Sequence, residues 1–439
     1  MREAARQANS RQAILQRLAE AREVTDALFS VVRPEARYGR PIPERHRIVF
    51  YIGHLEAFDW NLLGRQVLGL ESFHPEFDRL FAFGIDPVDG GLPTDRPADW
   101  PSLDEICAYN LRLRETLDAA LSRASFETNQ HLRDAWPLHI LMEHRLMHAE
   151  TLAYMFHQLD YSKKRPQVQR PEPPAADFAS RMVDIPAGRA TLGKPRGNGF
   201  GWDNEFEQLI TEVPAFRIDA CKVTNAQFLE FLRAGGYTDR ALWSDVDWEW
   251  KEKNNVAHPA FWTQRGDQWF LRGMFEERPL PADWPAYVSH AEASAYARWR
   301  GLSLPSEAQL QHAAYGTPAG GEREYPWGND APTAQHGNFD FHRWDPVSVA
   351  AHPAGHSAFG VQGLVGNGWE WTSTIFRPLP GFERYPFYPG YSADFFDGKH
   401  YVIKGGSPRT AACMLRRTFR NWFQPRYPYV YAGFRCVEN

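Results

Sequence analysis

A change in composition and apolar periodicity near residue 170 constrains the fold of this chain more than any other feature. Residues 162–178 are rich in proline and charge and carry no apolar periodicity, which is typical of an extended linker. Apolar residues recur at helical steps before this stretch, whereas short apolar runs broken by Trp, Gly and Pro follow it. The 439 residues suffice for two or three domains. We therefore predict one domain over 1–161 and another over 179–439, joined by the linker 162–178.

The first domain is predicted to be a four-helix bundle. Apolar or small residues recur at three- and four-residue steps in its first helix: Ile14, Leu18, Ala21, Thr25, Leu28 and Val32. Further helices are predicted within residues 47–70, 99–124 and 134–160. Ser102 stands three residues before Glu105, which is a capping-box pattern for a helix start. Four helices of this length favour an up-and-down bundle.

The second domain is predicted to mix strands, short helices and many loops. The whole chain has 16 Trp, 17 Tyr and 29 Phe beside 33 Gly and 33 Pro. This composition suggests irregular backbone that is stabilised by packing against large aromatic side chains. MVDIPAGRATLG (182–193) reads as strand, turn and strand. The stretches 223–236 and 288–316 read as two short helices. The predicted fold class is α+β.

Composition excludes several functional classes. A net charge of -5 argues against a nucleic-acid partner. No apolar run approaches the roughly 20 residues that span a bilayer, so no membrane partner is expected. The four cysteines are widely spaced and form no CxxC motif, so neither a zinc ribbon nor a disulfide framework is indicated. The N-terminal segment has no apolar signal core, and we expect a reducing, cytoplasmic location.

Two histidines one turn apart are the first candidates for chemistry. His144 and His148 share one face of a predicted helix, about 6 Å apart, which suits chelation of one ion. The zinc-peptidase motif HExxH would need a glutamate where Arg145 stands. Glu150 is roughly 240° around the helix from His144, so it is poorly placed as a third ligand.

A third ligand must then come from another helix. His54 is the best candidate, because a lone histidine in an apolar helix is costly unless it has a partner. Helical histidine pairs are also common as ordinary core or surface residues, and that interpretation stays open from spacing alone. Five other histidines in the first domain are distractors: His46, His74, His131, His139 and His157.

These residues resemble the sulfoxide synthases of ergothioneine and ovothiol biosynthesis, which are non-heme iron enzymes. In that family a histidine on an early helix joins an HxxxHxE pattern, here His54 with His144, His148 and Glu150. The second half is similar to formylglycine-generating enzymes, through segments such as VTNAQFLEF, YPWGN, GLVGNGWEWTS and YAGFRC. The resemblance covers nearly the whole chain. It implies a DinB-like four-helix bundle followed by a C-type-lectin-like domain.

The resemblance implies an iron(II) site at His54, His144 and His148. It also implies a reaction that joins a thiol to the imidazole of hercynine or histidine, with dioxygen as oxidant and a sulfoxide as product. The expected substrates are therefore hercynine or histidine, cysteine and dioxygen.

Substrate contacts are implied for the C-terminal segment RNWFQPRYPYVYAGFR. Asn421 and Trp422 match positions that contact substrate in the family, and we add the neighbouring Arg420. Met147 stands where a glutamine commonly precedes the second histidine of the pair. We expect these four residues to bind substrate.

The resemblance also implies a catalytic tyrosine that gives a proton or an electron during the reaction. Counting back from VIKGGS gives Tyr385 as the first candidate and Tyr388 as the second. Other family members place this tyrosine in the bundle, near the stretch equivalent to FDRLFAFGIDP. Only Leu80, Phe81 and Phe83 are available there, which favours the C-terminal location.

The donor and the acceptor are both left open by the sequence. Members that use γ-glutamylcysteine carry arginines after the second bundle helix, whereas FAFGIDPVDGGLPT (81–94) has none, so cysteine is the expected donor. Phe423 replaces an acidic residue found in some members. The absence of an appended methyltransferase domain favours hercynine as the acceptor. Histidine as acceptor of ovothiol type, a selenosugar as donor, and a non-catalytic ligand-binding module remain alternatives.

Overall fold

The computed structural model describes residues 2–82, 92–174 and 180–439, with the backbone alone for residues 2–10. The chain divides into two compact units, residues 1–167 and 168–439. This boundary falls inside the stretch 162–178 that the sequence marks as a linker. Within the described ranges, no helix is long and apolar enough to cross a membrane.

Four long helices dominate the described residues of the first unit. They are α1 (Arg2–Val31), α2 (Ile48–Asp59), α4 (Leu103–Arg123) and α5 (Trp136–His157), with a short α3 (Pro75–Leu80) between α2 and α4. Helix α2 continues as a π-helical segment, Trp60–Val67, so the predicted helix over 47–70 is less regular than its pattern suggested.

The bundle core follows the apolar stripes of the sequence. All six residues of the stripe that predicted the first helix are buried; five lie in α1, and Val32 directly follows it. Helix α4 buries one residue in every three or four, namely Ile106, Tyr109, Leu113, Leu117 and Leu121. Helices α2 and α5 are buried around most of their circumference, so they lie at the centre, with α1 packed on α5 and α4 packed on α2.

Helix α4 begins where its sequence signal places it. The Ser102 hydroxyl accepts a hydrogen bond from the Glu105 amide at 3.3 Å, and the Glu105 carboxylate accepts one from the Ser102 amide at 2.9 Å. Both of these amides would otherwise lack helical partners, so the predicted capping box is confirmed.

The described part of the second unit contains four small sheets. Their strands are β1 (Met182–Ile185), β2 (Gly188–Leu192), β3 (Leu209–Val213), β4 (Phe216–Asp219), β5 (Trp262–Arg265), β6 (Gln268–Arg272), β7 (Glu277–Pro279), β8 (Trp369–Ile375), β9 (Tyr401–Lys404), β10 (Asn421–Phe423), β11 (Ala432–Gly433) and β12 (Val437–Glu438). The largest sheet has the order β10-β9-β8-β11, in which β11 runs parallel to β8 and the other neighbours are antiparallel. The others have the orders β1-β4-β12, β2-β3 and β5-β6-β7.

The helices of the second unit are short. They are α6 (Asn225–Arg233), α7 (Asp245–Lys253), α8 (His290–Trp299) and α9 (Glu307–Tyr315). The stretch 288–316 therefore holds two helices rather than one, separated where Gly301 adopts a positive φ of 67° and Ser306 caps α9. Helix α7 was not predicted. Helices and small sheets together confirm the α+β fold class.

Candidate metal centre

The structure brings the three predicted histidines together. His54 projects from α2, and His144 and His148 project from successive turns of α5. One ligand atom from each ring lies within 4.8 Å of the other two, and all three side chains are buried. Among the described residues this is the group of histidine, cysteine and carboxylate side chains placed to hold a metal ion. Glu150 is not part of it, as its angular position on the helix predicted.

One hydrogen bond fixes the orientation of His54. Its Nδ1–H donates to the backbone carbonyl of Phe81 at 2.7 Å. The lone pair therefore lies on Nε2, which has no hydrogen-bond partner among the described residues although it is buried. A carbonyl that holds the far nitrogen of a ligand histidine is a recurrent feature of metal sites. Nothing in the sequence indicated this role for Phe81.

His144 and His148 face each other across one helical turn. Their Nε2 atoms are 3.1 Å apart. Two nitrogens at roughly 2.1 Å from one first-row metal ion, in neighbouring coordination positions, are separated by about this distance. The i, i+4 spacing thus becomes a chelating pair in the folded helix.

Aromatic side chains pack against the histidine group. Phe58 stacks on His144 with ring centroids 3.5 Å apart, and Phe50 stacks on His54 at 4.9 Å. The Tyr51 ring centroid is 5.7 Å from that of His148. These rings exclude water from the flanks of the imidazoles.

Burial keeps the three imidazoles neutral. Loss of solvation lowers the pKa of His54 to about 4, despite the Phe81 carbonyl, which acts in the opposite direction. Burial likewise lowers the pKa of His144 and His148 well below the usual value. Neutral imidazoles are the form that binds a metal, so the donor set fits a divalent first-row ion.

The predicted catalytic tyrosine belongs to an aromatic cluster in the second unit. Tyr385 is buried and its ring lies 6.0 Å from that of Trp202. Trp202 stacks on Tyr391 at 3.9 Å, and Tyr391 contacts Trp422 edge-on at 5.4 Å. Tyr385 and Trp422, predicted from segments 37 residues apart in sequence, therefore lie in one cluster. Tyr388 is half-buried.

The other predicted substrate residues have contacts of their own. On β10, the Asn421 side-chain oxygen accepts a hydrogen bond from the Trp422 amide at 2.8 Å. Consecutive strand residues point to opposite faces, so Asn421 and Trp422 diverge. The buried Arg420 guanidinium donates to both Glu307 carboxylate oxygens, at 2.8 and 3.0 Å. Met147 is half-buried on α5, and its role and those of the other three residues stay predictions.

Comparison with known proteins assigns the family. A family model described as a sulfatase-modifying factor enzyme 1-like domain matches residues 168–439. The chain belongs to this family. The formylglycine-generating enzyme of Streptomyces coelicolor is 30% identical over 309 residues, covering 61% of this chain and 93% of that protein.

Two further relatives of this sulfatase-modifying-factor family member carry names from ergothioneine biosynthesis. The hercynine oxygenase of Mycobacterium tuberculosis is 40% identical over 237 residues, covering 54% of this chain and 55% of that protein. The ergothioneine biosynthesis protein 1 of Neurospora crassa is 26% identical, covering 91% of this chain and 54% of that protein. The chain spans about half the length of these two relatives. Together with the family match, they confirm the resemblance to the ergothioneine-type sulfoxide synthases.

The four cysteines of this family member, Cys107, Cys221, Cys413 and Cys436, form no disulfide bond. Cys436 is buried, and burial raises its thiol pKa well above the usual value, which disfavours the thiolate that binds metals. Cys413 is half-buried.

The sequence argument for cysteine as the thiol donor rests on residues 81–94. Of these, residues 83–91, including Phe83, lie outside the described residues.

Proposed function

We propose that the chain is a non-heme iron(II), dioxygen-dependent sulfoxide synthase that joins cysteine to the imidazole ring of hercynine. One observation carries the proposal: three buried, neutral histidines converge in a chain whose relatives include hercynine oxygenases. The overall balance is thiol plus imidazole C–H plus dioxygen giving sulfoxide plus water. A C–S and an S–O bond form, S–H and C–H bonds break, and dioxygen takes up four electrons.

His54, His144 and His148 would hold the iron. Iron(II) there would supply the redox chemistry that a reaction with dioxygen requires, and a positive charge that favours the thiolate form of the donor. Because the three histidine ligands are neutral, they would not offset the positive charge of the ion. A site with three protein ligands also leaves positions open for small molecules, which suits a reaction that brings two substrates together.

The residues of the chain would perform the remaining tasks. The Phe81 carbonyl keeps His54 in the tautomer whose Nε2 can bind metal. Phe50 and Phe58 shield the imidazoles from water. We assign the proton-donating role to Tyr385, with Tyr388 as the second candidate, and substrate binding to Asn421, Trp422, Arg420 and Met147.

Iron content and oxygen uptake test the proposal. Wild-type protein loaded anaerobically with ferrous ion should retain one iron per chain and consume oxygen with hercynine and cysteine. His148→Ala should lose both properties because two imidazoles bind a metal more weakly than three. His139→Ala, on the same helix but outside the group, is the matched control and should retain both.

The outcomes separate the classes of function. A non-catalytic binding module predicts no stoichiometric iron in the wild type and no effect of His148→Ala. Absence of turnover with every thiol tested would also refute the proposal. Replacing hercynine by histidine, or cysteine by γ-glutamylcysteine or a selenosugar, with mass spectrometry of the product, identifies the substrate pair.

A further inference from the structure

A buried arginine lies beside the histidine group and contacts the helix that carries His54. Arg145 is 1% exposed and follows His144 on α5. Its guanidinium donates to the Glu56 carboxylate at 2.9 Å, to the Asp59 carboxylate at 2.8 Å and to the Leu55 carbonyl at 3.2 Å. All three acceptors lie on α2, within five residues of His54.

The same network extends to the two outer helices. Arg145 also donates to the Thr25 hydroxyl on α1 at 3.2 Å. The Glu56 oxygen that binds Arg145 accepts a second hydrogen bond, from Arg114 on α4 at 2.6 Å. Arg114 in turn pairs with Asp26 on α1. One connected set of charges therefore ties α1, α2, α4 and α5 together at the level of the histidines.

Stability alone is a weak explanation for this network. The desolvation of buried ions often exceeds their mutual attraction, and apolar replacements of similar volume are frequently neutral or stabilising. What a guanidinium adds is direction, because its planar donors accept carboxylates only in restricted orientations. A shift of α2 by one residue moves it by about 1.5 Å and 100°, which would break these hydrogen bonds and turn His54 away.

We propose that Arg145 is a positioning residue that sets the register of α2 against α5, and thereby the placement of His54 opposite His144 and His148. The network acts through the helices, since Arg145 is not a member of the histidine group. The inference rests on the proposed metal centre.

Cobalt(II) binding by the 439-residue chain tests the inference, with the visible absorption of the bound ion as a report on ligand geometry. Wild-type protein should bind one cobalt ion. Arg145→Gln should weaken binding by about 10- to 100-fold and change the absorption spectrum, as outer-shell substitutions do in other metal sites. Arg11→Gln is the matched control, because Arg11 joins α1 to α4 by donating to the Leu121 and Ser122 carbonyls, at 2.8 and 3.0 Å, and is not part of this network. It should leave cobalt affinity and spectrum unchanged.

A second variant covers the case in which Arg145→Gln does not fold because the buried Asp59 carboxylate loses its ion pair and Glu56 keeps only Arg114. The combination Arg145→Met, Glu56→Gln and Asp59→Asn removes the charges together. It should fold, as judged by circular dichroism, yet bind cobalt at least about tenfold more weakly than wild type. If it is folded and matches the wild type in affinity and spectrum, Arg145 does not position the site. If the wild type itself binds no cobalt, the proposed metal centre fails, and this inference with it.

Discussion

At the scale of single residues, burial decides the chemistry of several histidines. His290 in α8 resembles His54 in that loss of solvation lowers its pKa to about 4. It stacks on Tyr401 with ring centroids 3.9 Å apart. In the unfolded chain the His290 imidazole binds a proton below about pH 6.5, whereas in the folded chain it does so only below about pH 4. Stability therefore falls as the pH drops through this window.

Replacing His290 should reduce the loss of stability that the protein shows as the pH falls. His290→Phe keeps a ring against Tyr401 but removes the titrating group. Between pH 7 and 5 its free energy of unfolding should fall by about 2 kcal/mol less than that of the wild type. Urea unfolding at the two pH values measures the difference. His356→Gln, at an exposed histidine, is the control and should follow the wild type.

The two candidate tyrosines should differ in their effect on turnover. Tyr385→Phe removes a buried phenol that the proposed mechanism uses as a proton donor, so sulfoxide formation should slow by roughly 100-fold. Tyr388→Phe should slow it by less than about tenfold. Product formation by mass spectrometry at equal iron content measures both. Wild-type rates in Tyr385→Phe would exclude it as the donor.

At the scale of elements, one glycine allows α2 to meet the segment that orients His54. A Cβ at Gly53 would lie 2.5 Å from the Phe81 ring. The Phe81 carbonyl is the acceptor for His54 Nδ1–H. Close packing at Gly53 and ligand orientation at His54 therefore depend on the same aromatic residue.

Gly53→Ala should damage both packing and metal binding. Alanine gains about 1 kcal/mol of helix propensity, but overpacking against Phe81 costs about 1–3 kcal/mol, so the variant should be less stable overall. Displacement of the Phe81 carbonyl should also weaken cobalt binding. Urea unfolding and cobalt titration measure the two effects. Adding Phe81→Leu, which makes room for the methyl group, should recover stability; without such recovery, the steric explanation is wrong.

At the scale of the whole molecule, the proposed metal centre is contained in one unit. The three histidines, the Phe81 carbonyl and the Arg145 network all lie within residues 1–167. Val168, at the boundary, is 99% exposed. The contacts that shape the histidine group therefore do not depend on an intact connection to the second unit.

Cutting the chain at this boundary should leave metal binding in place. A protease site inserted after Val168 should be cleaved readily, and the N-terminal fragment should keep one cobalt ion after purification. Metal analysis of both fragments provides the measurement. Loss of cobalt on cleavage, with the fragment still helical by circular dichroism, would show that the second unit is needed to hold the ion.

The sequence by itself determined the features that depend on neighbouring residues. Periodicity placed the bundle helices, and the i, i+4 spacing placed His144 and His148 on one face. The capping box placed the start of α4. His54 was found because an imidazole in an apolar helix needs a partner. Periodicity failed at two elements. The π-helical segment Trp60–Val67 departs from the 3.6-residue repeat, and helix α7 is polar and therefore has no apolar stripe to detect.

Only the tertiary structure decided what surrounds these residues. The carbonyl that orients His54 is 27 residues away, and the Glu56 carboxylate that Arg145 binds is 89 residues away. A backbone carbonyl has no sequence signature, and Arg145 reads as an ordinary charged residue until its burial is known. Contacts over such separations arise from the packing of whole helices, whereas sequence patterns record only the local periodicity that lets those helices form.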